Sequence, residues 1–208
     1  MTQIFIFGDS ITFGESDYQL GGWVNRLRLF FDQSDFNTDE DYILVHNLGV
    51  PGDRSDLLLK RMKPEIEARK KEDAKLFIII NIGINDSCLL NGKNKVDIKQ
   101  FEKNLNKIIK IARKFTEEIV FVGATAVDQS RTTPSSWDVN QFRTNDEIKK
   151  YNQVIAQVCQ QEKLDLIDVF EQTKEIIKKS EDGLHPDAAG HQIIFEIVKA
   201  ALVKKIKK

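Results

Sequence analysis

The sequence predicts an α/β fold, a three-layer α/β/α sandwich around five parallel strands. Short apolar runs alternate along the chain with longer segments whose apolar residues recur at helical spacing, a pattern typical of strand–helix–strand crossovers. The run 76–80 is apolar on both faces, as expected of a central strand covered by helices on each side. No repeat, low-complexity tract or linker interrupts the 208 residues, so we expect a single domain over residues 1–208.

The five predicted strands are the short apolar runs. The first ends at a Gly-Asp-Ser turn, and the third runs directly into Gly83-Ile84-Asn85-Asp86. Each of the others is also followed by a polar loop, as parallel strands joined by crossovers require. The predicted strands are Ile4–Phe7, Tyr42–Leu48, Leu76–Ile80, Ile119–Val122 and Leu164–Val169.

The segments between the strands have helical periodicity. Pro64 is a candidate kink in the helix predicted to begin near Ser55. Asp97 and Thr144 are predicted to cap the two helices that follow them, since each is followed three residues later by Gln or Glu. Residues 124–144 form the longest irregular stretch. The last helix is predicted to turn Ala189, Ile193, Ile197, Ala201 and Leu202 inward.

Composition excludes several classes of function. Lys plus Arg (31) nearly balances Asp plus Glu (32), so no overall charge favours nucleic acid or an anionic membrane. The lysines at the C-terminus, Lys204, Lys205, Lys207 and Lys208, are predicted to form a solvated helix end. No apolar run approaches the ~20 residues of a membrane span, and the N-terminus lacks the pattern of a signal peptide. Two cysteines are too few for a disulfide framework, so we expect a cytoplasmic protein.

Four polar positions follow four of the predicted strands. Ser10 follows the first strand, Gly52 the second, Asn85 the third and His185 the fifth. Parallel strands all end at the same edge of their sheet, where open α/β folds bind ligands. The sequence therefore predicts that these four residues, although far apart in the chain, come together in space.

The residue types at these positions suit acyl transfer. A Ser hydroxyl needs a base within hydrogen-bond reach, and His185 is the one histidine in a loop at the predicted edge, whereas His46 and His191 are predicted to be structural. Asp182 is three residues earlier and could accept a hydrogen bond from Nδ1 of the imidazole. The Ser10 and Gly52 backbone N–H groups and the Asn85 amide are candidate oxyanion donors.

These segments resemble four blocks of the SGNH-hydrolase superfamily, the GDSL-like esterases and lipases. The matches occur in family order over essentially the whole chain, with Ile11 in place of the Leu of the family name. They are Gly8-Asp9-Ser10-Ile11-Thr12, Asn47 through Gly52-Asp53, Gly83-Ile84-Asn85-Asp86 and Asp182-Gly183-Leu184-His185-Pro186.

The resemblance implies a flavodoxin-like fold and hydrolysis of a small acyl or acetyl ester without a metal or other cofactor. Its implied residue roles are a nucleophile, Ser10, a base, His185, and an orienting acid, Asp182, with the oxyanion held by Ser10, Gly52 and Asn85. We expect Asp9, Asp53 and Asp86 to support these residues through hydrogen bonds.

Other interpretations of the same residues stay open. A metal-dependent phosphoesterase is suggested by Asp9, Asn85, Asp86 and His185, although one suitable His is few for a two-metal site. A non-catalytic binding module could also use this fold. Trp137 and Phe142 in the irregular stretch either cover the substrate or anchor the loop. Short-chain esters, acetylated sugars, lysophospholipids and thioesters all fit the same predicted site.

Overall fold

The computed structural model describes residues 1–33 and 42–206. Eight strands are assigned in this part of the chain, of which five belong to the main sheet and three are only two residues long. The strands are β1 (Thr2–Gly8), β2 (Ile43–Gly49), β3 (Lys75–Asn81), β4 (Leu89–Leu90), β5 (Lys93–Asn94), β6 (Ile119–Val122), β7 (Gln141–Phe142) and β8 (Asp165–Ile167).

Helices connect the strands on both faces of the main sheet. The α-helices are α1 (Ser10–Phe13), α2 (Gly22–Gln33), α3 (Ser55–Arg69), α4 (Ile98–Ala112), α5 (Gln129–Thr132), α6 (Asn145–Glu162), α7 (Phe170–Thr173) and α8 (Ala188–Ile206). A short 3-10 helix at Ile176–Lys179 precedes the last of them. No helix of the described part of the chain is long and apolar enough to cross a membrane.

The main sheet is parallel throughout, with strand order β2-β1-β3-β6-β8. Side chains alternate across it, so each strand contributes to two cores. Ile4 and Ile6 face a core shared with α2 and α8, whereas Phe5 and Phe7 face a core shared with α3, α4 and α6. The predicted three-layer α/β fold with five parallel strands is therefore confirmed.

Several local predictions are confirmed as well. The Asp97 carboxylate accepts hydrogen bonds from Lys99 N (2.9 Å) at the start of α4. The Thr144 hydroxyl accepts from Glu147 N (3.2 Å) at the start of α6. At Pro64, by contrast, the helix that could have been interrupted runs unbroken from Ser55 to Arg69.

The predicted inner face of the last helix is confirmed at Leu202 and in part at Ile197 and Ala201, which pack against the same core, but not at Ala189. Ile194, Phe195, Val198 and Leu202 are buried, whereas Ala189 is exposed and Ile193, Ile197 and Ala201 are only half-buried. Because α8 is apolar on most of its surface, its sequence does not single out one face, and packing against α2 sets the rotation. Lys205 at its end pairs with Asp165 and Glu118, and Lys207 and Lys208 lie outside the described residues.

The stretch predicted to be irregular contains ordered pieces. It includes α5 and β7, and β7 joins β4 and β5 in a small antiparallel sheet. Strands of two residues are too short to show any alternation in the sequence, so the prediction missed them.

Candidate active site

Ser10 lies at the tight junction of β1 and α1. An added Cβ at Gly8 would lie 2.0 Å from Thr12 Oγ1 and 2.5 Å from Asn81 O, so only glycine fits this turn. The Asp9 carboxylate caps the helix by accepting a hydrogen bond from Ile11 N (3.0 Å). Ser10 is thus the first residue of a helix, where backbone N–H groups have no partner within the helix.

The ends of the first three strands are in register. Gly8 at the end of β1 pairs with Gly49 at the end of β2 and with Asn81 at the end of β3. Beyond β2, Val50 N donates to Gly8 O (3.0 Å). The loops that carry Ser10, Gly52 and Asn85 therefore begin side by side, as the sequence predicts for a parallel sheet.

His185 lies between Ser10 and Asp182. Ser10 Oγ is 2.9 Å from His185 Nε2, and His185 Nδ1 is 2.5 Å from Asp182 Oδ2. The other carboxylate oxygen, Asp182 Oδ1, accepts from Leu184 N (2.8 Å) and His185 N (2.9 Å). The structure thus brings the three predicted residues into one hydrogen-bonded line, while their catalytic roles stay a prediction.

The Asp182 carboxylate is held in its ionised form. Burial alone would raise its pKa, but the hydrogen bonds from the ring and backbone of His185 and from Leu184 N outweigh this effect and lower the pKa to about 2. An ionised acceptor at Nδ1 requires that His185 carry a proton there, which leaves Nε2 free to accept the Ser10 proton.

The loop that carries His185 depends on Gly183. Its φ is +76°, and an added Cβ would lie 2.9 Å from Asp128 O. Asp128 N donates to Gly183 O (2.8 Å), and Arg131 donates to the carbonyls of Ser180 and Glu181. The residues around α5 therefore hold this loop against the end of the sheet.

Gly52 and Asn85 are joined through Asp53. Asn85 Nδ2 donates to Asp53 O (3.1 Å), and Asn85 is almost completely buried. Gly52 has φ +78°, and an added Cβ would meet no atom within 4 Å, so its backbone conformation rather than crowding favours glycine. This open space gives a substrate access to the Gly52 backbone.

The motif acids Asp9, Asp53 and Asp86 are all buried; Asp9 bonds within its own turn, whereas Asp53 and Asp86 bond to other segments. Asp53 accepts two hydrogen bonds from Arg61, which also donates to Gly8 O (3.1 Å). Asp86 accepts from Ser55 N (3.0 Å) and Ser55 Oγ (2.5 Å) at the start of α3. These bonds connect the loops of the site, and the supporting role of the three acids stays a prediction.

Burial perturbs the same three acids in one direction. Desolvation raises the pKa of Asp9 to about 7 and that of Asp86 to about 6, and it also raises the pKa of Asp53. Hydrogen bonds to each carboxylate oppose the effect without cancelling it. The acids of the first three loops are thus unlike Asp182, whose pKa is lowered.

Two residues of the irregular stretch lie beside the site. The Trp137 ring centroid is 6.3 Å from that of His185, and Trp137 is 47% exposed. Arg143 is only 3% exposed and donates from Nη2 to Asn85 Oδ1 (3.3 Å). Sequence analysis had singled out Trp137, either to cover the substrate or to anchor the loop. No sequence pattern pointed to Arg143. Phe142 lies in β7, opposite Leu89.

An open groove of about 570 Å³ leads to His185. Trp137 and Tyr18 provide its aromatic surface, and Glu15 and Glu181 provide carboxylates beside that of Asp182. Among its described lining residues there is no Lys or Arg. They are Glu15, Ser16, Tyr18, Ser136, Trp137, Glu181, Asp182 and His185.

The remaining candidate groups make structural contacts. His46 stacks on Phe5 and bonds to the Gln3 amide, and His191 accepts from Trp23 N and donates to Glu15 O. Cys88 is a buried free thiol whose pKa is raised by burial. In residues 1–33 and 42–206, no three His, Cys, Asp or Glu side chains are grouped so as to hold a metal ion.

Comparison with known families identifies the chain's family. The model of the GDSL-like Lipase/Acylhydrolase family matches residues 6–193, which include all four sequence blocks. The chain belongs to this family. It is accordingly a carboxylic ester hydrolase.

Curated relatives of this GDSL-like hydrolase span most of its length. It is 25% identical to the GDSL esterase/lipase CPRD49 of Arabidopsis thaliana over 96% of this chain and 79% of that protein. It is 22% identical to the human isoamyl acetate-hydrolyzing esterase 1 homolog over 98% of this chain and 82% of that protein.

Solved structures share its fold. The lipase/acylhydrolase from Enterococcus faecalis superposes with a TM-score of 0.78 at 24% identity, covering 99% of this chain and 97% of the other. The acetylxylan esterase Axe2 from Geobacillus stearothermophilus superposes with a TM-score of 0.71 at 19% identity, covering 95% and 92%.

Proposed function

We propose that this hydrolase cleaves a small acyl ester through an acyl-enzyme intermediate on Ser10. The observation that carries the proposal is the line of hydrogen bonds from Ser10 Oγ to His185 Nε2 (2.9 Å) and from His185 Nδ1 to Asp182 Oδ2 (2.5 Å). A serine that donates to an imidazole oriented by a carboxylate is the arrangement needed to activate a hydroxyl.

The proposed reaction has two halves. Ser10 Oγ attacks the ester carbonyl while His185 Nε2 takes its proton, and the resulting oxyanion accepts from the Ser10 and Gly52 N–H groups and from Asn85 Nδ2. The C–O bond to the alcohol then breaks, and His185 returns the proton to the leaving oxygen. In the second half, His185 removes a proton from water as the water attacks the acyl group; the bond from the acyl carbon to Ser10 Oγ then breaks, and His185 returns the proton to Oγ, which releases the acid and restores Ser10.

For the substrate, we propose an acetyl ester of a neutral alcohol, with acetylated sugars the favoured class. The groove beside His185 combines the exposed ring of Trp137 with the carboxylates of Glu15 and Glu181. Aromatic faces and carboxylate acceptors suit a polyhydroxylated alcohol, whereas three nearby carboxylates repel an anionic leaving group such as coenzyme A. The names of the human relative and of Axe2 both refer to acetyl esters.

The first test removes the Ser10 hydroxyl. In the Ser10→Ala variant we expect turnover of p-nitrophenyl acetate to fall at least about 10³-fold, with no covalent labelling by a fluorophosphonate. Ser130→Ala, an exposed serine at α5, is the matched control and should label and turn over like the parent protein. Turnover that survives in Ser10→Ala would refute the mechanism. In the parent protein, activity that is retained after dialysis against a chelator would exclude a metal-dependent phosphoesterase.

The second test compares substrates with the same acetyl group. We expect kcat/KM to be higher for an acetylated xyloside than for acetyl-coenzyme A, and to fall as the acyl chain of p-nitrophenyl esters is lengthened. Replacing Glu15 and Glu181 by Gln should raise kcat/KM for acetyl-coenzyme A relative to the neutral ester. Equal activity on both alcohols would contradict the proposed specificity while leaving the mechanism intact.

We also propose that the protein works in a reducing compartment such as the cytoplasm. Cys88 and Cys159 are both free and buried, so oxidation would bring a polar group into a core. Fractionation of the source cells, with detection of the protein by antibody, tests this location.

A further inference from the structure

Arg143 is a buried cation without a carboxylate partner in the described part of the chain. Arg26 and Arg61 are also largely buried, but each pairs with an aspartate, Asp17 and Asp53 respectively. The guanidinium of Arg143 instead donates only to neutral oxygens. They are Ser135 Oγ (3.0 Å), Gln141 Oε1 (3.1 Å) and Asn85 Oδ1 (3.3 Å).

Burying a cation without an ionic partner lowers the free energy of unfolding. Arginine is almost never fully buried without an ionic partner, because its charge loses hydration. In addition, Arg143 Nε is buried with no hydrogen-bond partner. Its bonds to Ser135 and Gln141 hold its own segment, and the group of the candidate site to which it donates is the amide of Asn85.

The two contacts of Asn85 fix the orientation of its amide. Its Oδ1 accepts from Arg143 Nη2, and its Nδ2 donates to Asp53 O (3.1 Å). A flipped amide would place N–H groups against the guanidinium and a carbonyl oxygen against Asp53 O, losing both bonds. One Nδ2 proton is used by Asp53 O, so the second is left for a further acceptor.

We propose that Arg143 is a positioning residue for ester hydrolysis, acting through the Asn85 amide. It holds Oδ1 so that the second Nδ2–H is directed to the oxyanion, and its charge polarises the amide so that this N–H is a stronger donor. The inference rests on the proposed oxyanion role of Asn85. It assigns a function to a residue in the irregular segment, which is far from the sequence blocks of the family.

Arg143 also supports the aromatic wall of the groove. Its Cζ lies 5.4 Å from the centroid of the Trp137 ring, whose other neighbour is His185. A change at Arg143 can therefore act on the oxyanion through Asn85 or on substrate binding through Trp137. The first effect changes kcat, and the second changes KM.

The test is a double-mutant cycle between Arg143 and Asn85. In the parent background, Arg143→Gln should lower kcat for p-nitrophenyl acetate roughly 10- to 100-fold with less than about a threefold change in KM. Arg143→Lys, which keeps the charge but not the planar guanidinium, should recover part of the loss. In an Asn85→Ala background, Arg143→Gln should cost less than about threefold, because the amide it positions is absent.

Controls separate positioning from folding. Arg113→Gln at the end of α4, an arginine bonded to Glu162 at the end of α6, should leave kcat unchanged. Thermal unfolding of every variant shows whether losses in kcat follow losses in stability. If Arg143→Gln does not fold, the same cycle is measured with Arg143→Lys.

The outcomes are distinct. A loss of kcat at Arg143 that is equally large with and without Asn85 would overturn the inference, as would a loss that follows the thermal midpoint across all variants. If Asn85→Ala turns over like the parent protein, the oxyanion role of Asn85 fails and the inference fails with it. Activity in Ser10→Ala would instead refute the proposed function itself.

Discussion

The two sides of Ser10 are built differently. Each of the loops after β1, β2 and β3 carries a buried aspartate, and burial raises the pKa of all three acids. On the other side, residues 128–143 and 180–185 are more open, and their acid Asp182 is held ionised beside His185. An aspartate next to a site residue therefore has two different uses in this molecule. On the buried side it caps a helix or bonds to another segment, and on the open side it contacts the imidazole.

The largest effect on kcat should come from a change on the open side, at Asp182. In Asp182→Asn the side chain keeps its size but no longer presents an anionic acceptor to His185 Nδ1, so the imidazole tautomer with Nε2 free to accept loses its support. We expect kcat for p-nitrophenyl acetate to fall about 10³- to 10⁴-fold, with a lower thermal midpoint as well, because the neutral amide loses the interactions that lower the pKa of Asp182.

Asp187→Asn is the matched control, because Asp187 is two residues from His185 but accepts from Gly190 N at the start of α8. It should retain the activity of the parent protein. If Asp182→Asn keeps more than about a tenth of the parent kcat, the carboxylate does not orient the base, and the contrast between the two sides is lost.

The next largest effect should come from Asn85 on the buried side. Asn85→Ala removes the Nδ2 donor proposed for the oxyanion, which predicts a fall in kcat of about 10²- to 10³-fold with KM nearly unchanged. Because Asn85 is also bonded to Asp53 O and Arg143, we expect this variant to lose stability as well. Asn106→Ala, an exposed asparagine on α4, is the control for both measurements.

The same contrast explains how much could be predicted from the sequence. Ser10, Gly52 and Asn85 follow apolar runs whose parallel pairing brings their ends together, so strand patterns alone predicted their proximity. His185 could be predicted because one histidine lies in a loop at that edge. Each of these inferences needs only a local pattern and the rule that parallel strands end together.

Arg143 and the rotation of α8 could not be predicted in this way. Arg143 is 58 residues from Asn85 in the chain, and it is placed by a two-residue strand and by isolated bridges such as Thr132 with Ser135. Such short pairings have no periodic signal. The inner face of α8 depends on its contact with α2, since apolar residues surround most of the helix.

A smaller effect, on stability, is expected from the buried acid Asp9. Its folded pKa of about 7 lies above the ordinary value of 3.8, so the folded state binds the proton more tightly than the unfolded state. Stability from this group is present below about pH 4 and is lost as the pH rises to about 7. Asp9→Asn keeps an acceptor for Ile11 N without this titration, so it should lose less stability between pH 5 and pH 8, by on the order of 2 kcal/mol.

Urea unfolding at the two pH values measures this difference. Asp86 and Asp53, whose pKa values are also raised, contribute a fall of the same sign in both proteins, so only the difference between them reports on Asp9. Asn106→Ala, at an exposed position of α4 without a titratable side chain, should lose stability in parallel with the parent protein. If the free energy of unfolding falls equally between pH 5 and pH 8 in Asp9→Asn and in the parent protein, Asp9 is not a buried neutral acid at pH 5.

The smallest effect should come from Trp137, and it decides between the two interpretations that the sequence left open. The ring is 47% exposed and faces the groove beside His185. If it covers the substrate, Trp137→Ala should raise KM for an acetylated sugar roughly fivefold, equivalent to about 1 kcal/mol of binding, with kcat and the thermal midpoint unchanged. Val139→Ala, a more exposed residue of the same segment, should change neither constant.

If the ring instead anchors the loop, the thermal midpoint will fall and kcat will fall with it, because Arg143 packs on the same ring and bonds to Asn85. A rise in KM alone would therefore mark the open side as the surface that selects the alcohol, and the buried side as the one that stabilises the oxyanion.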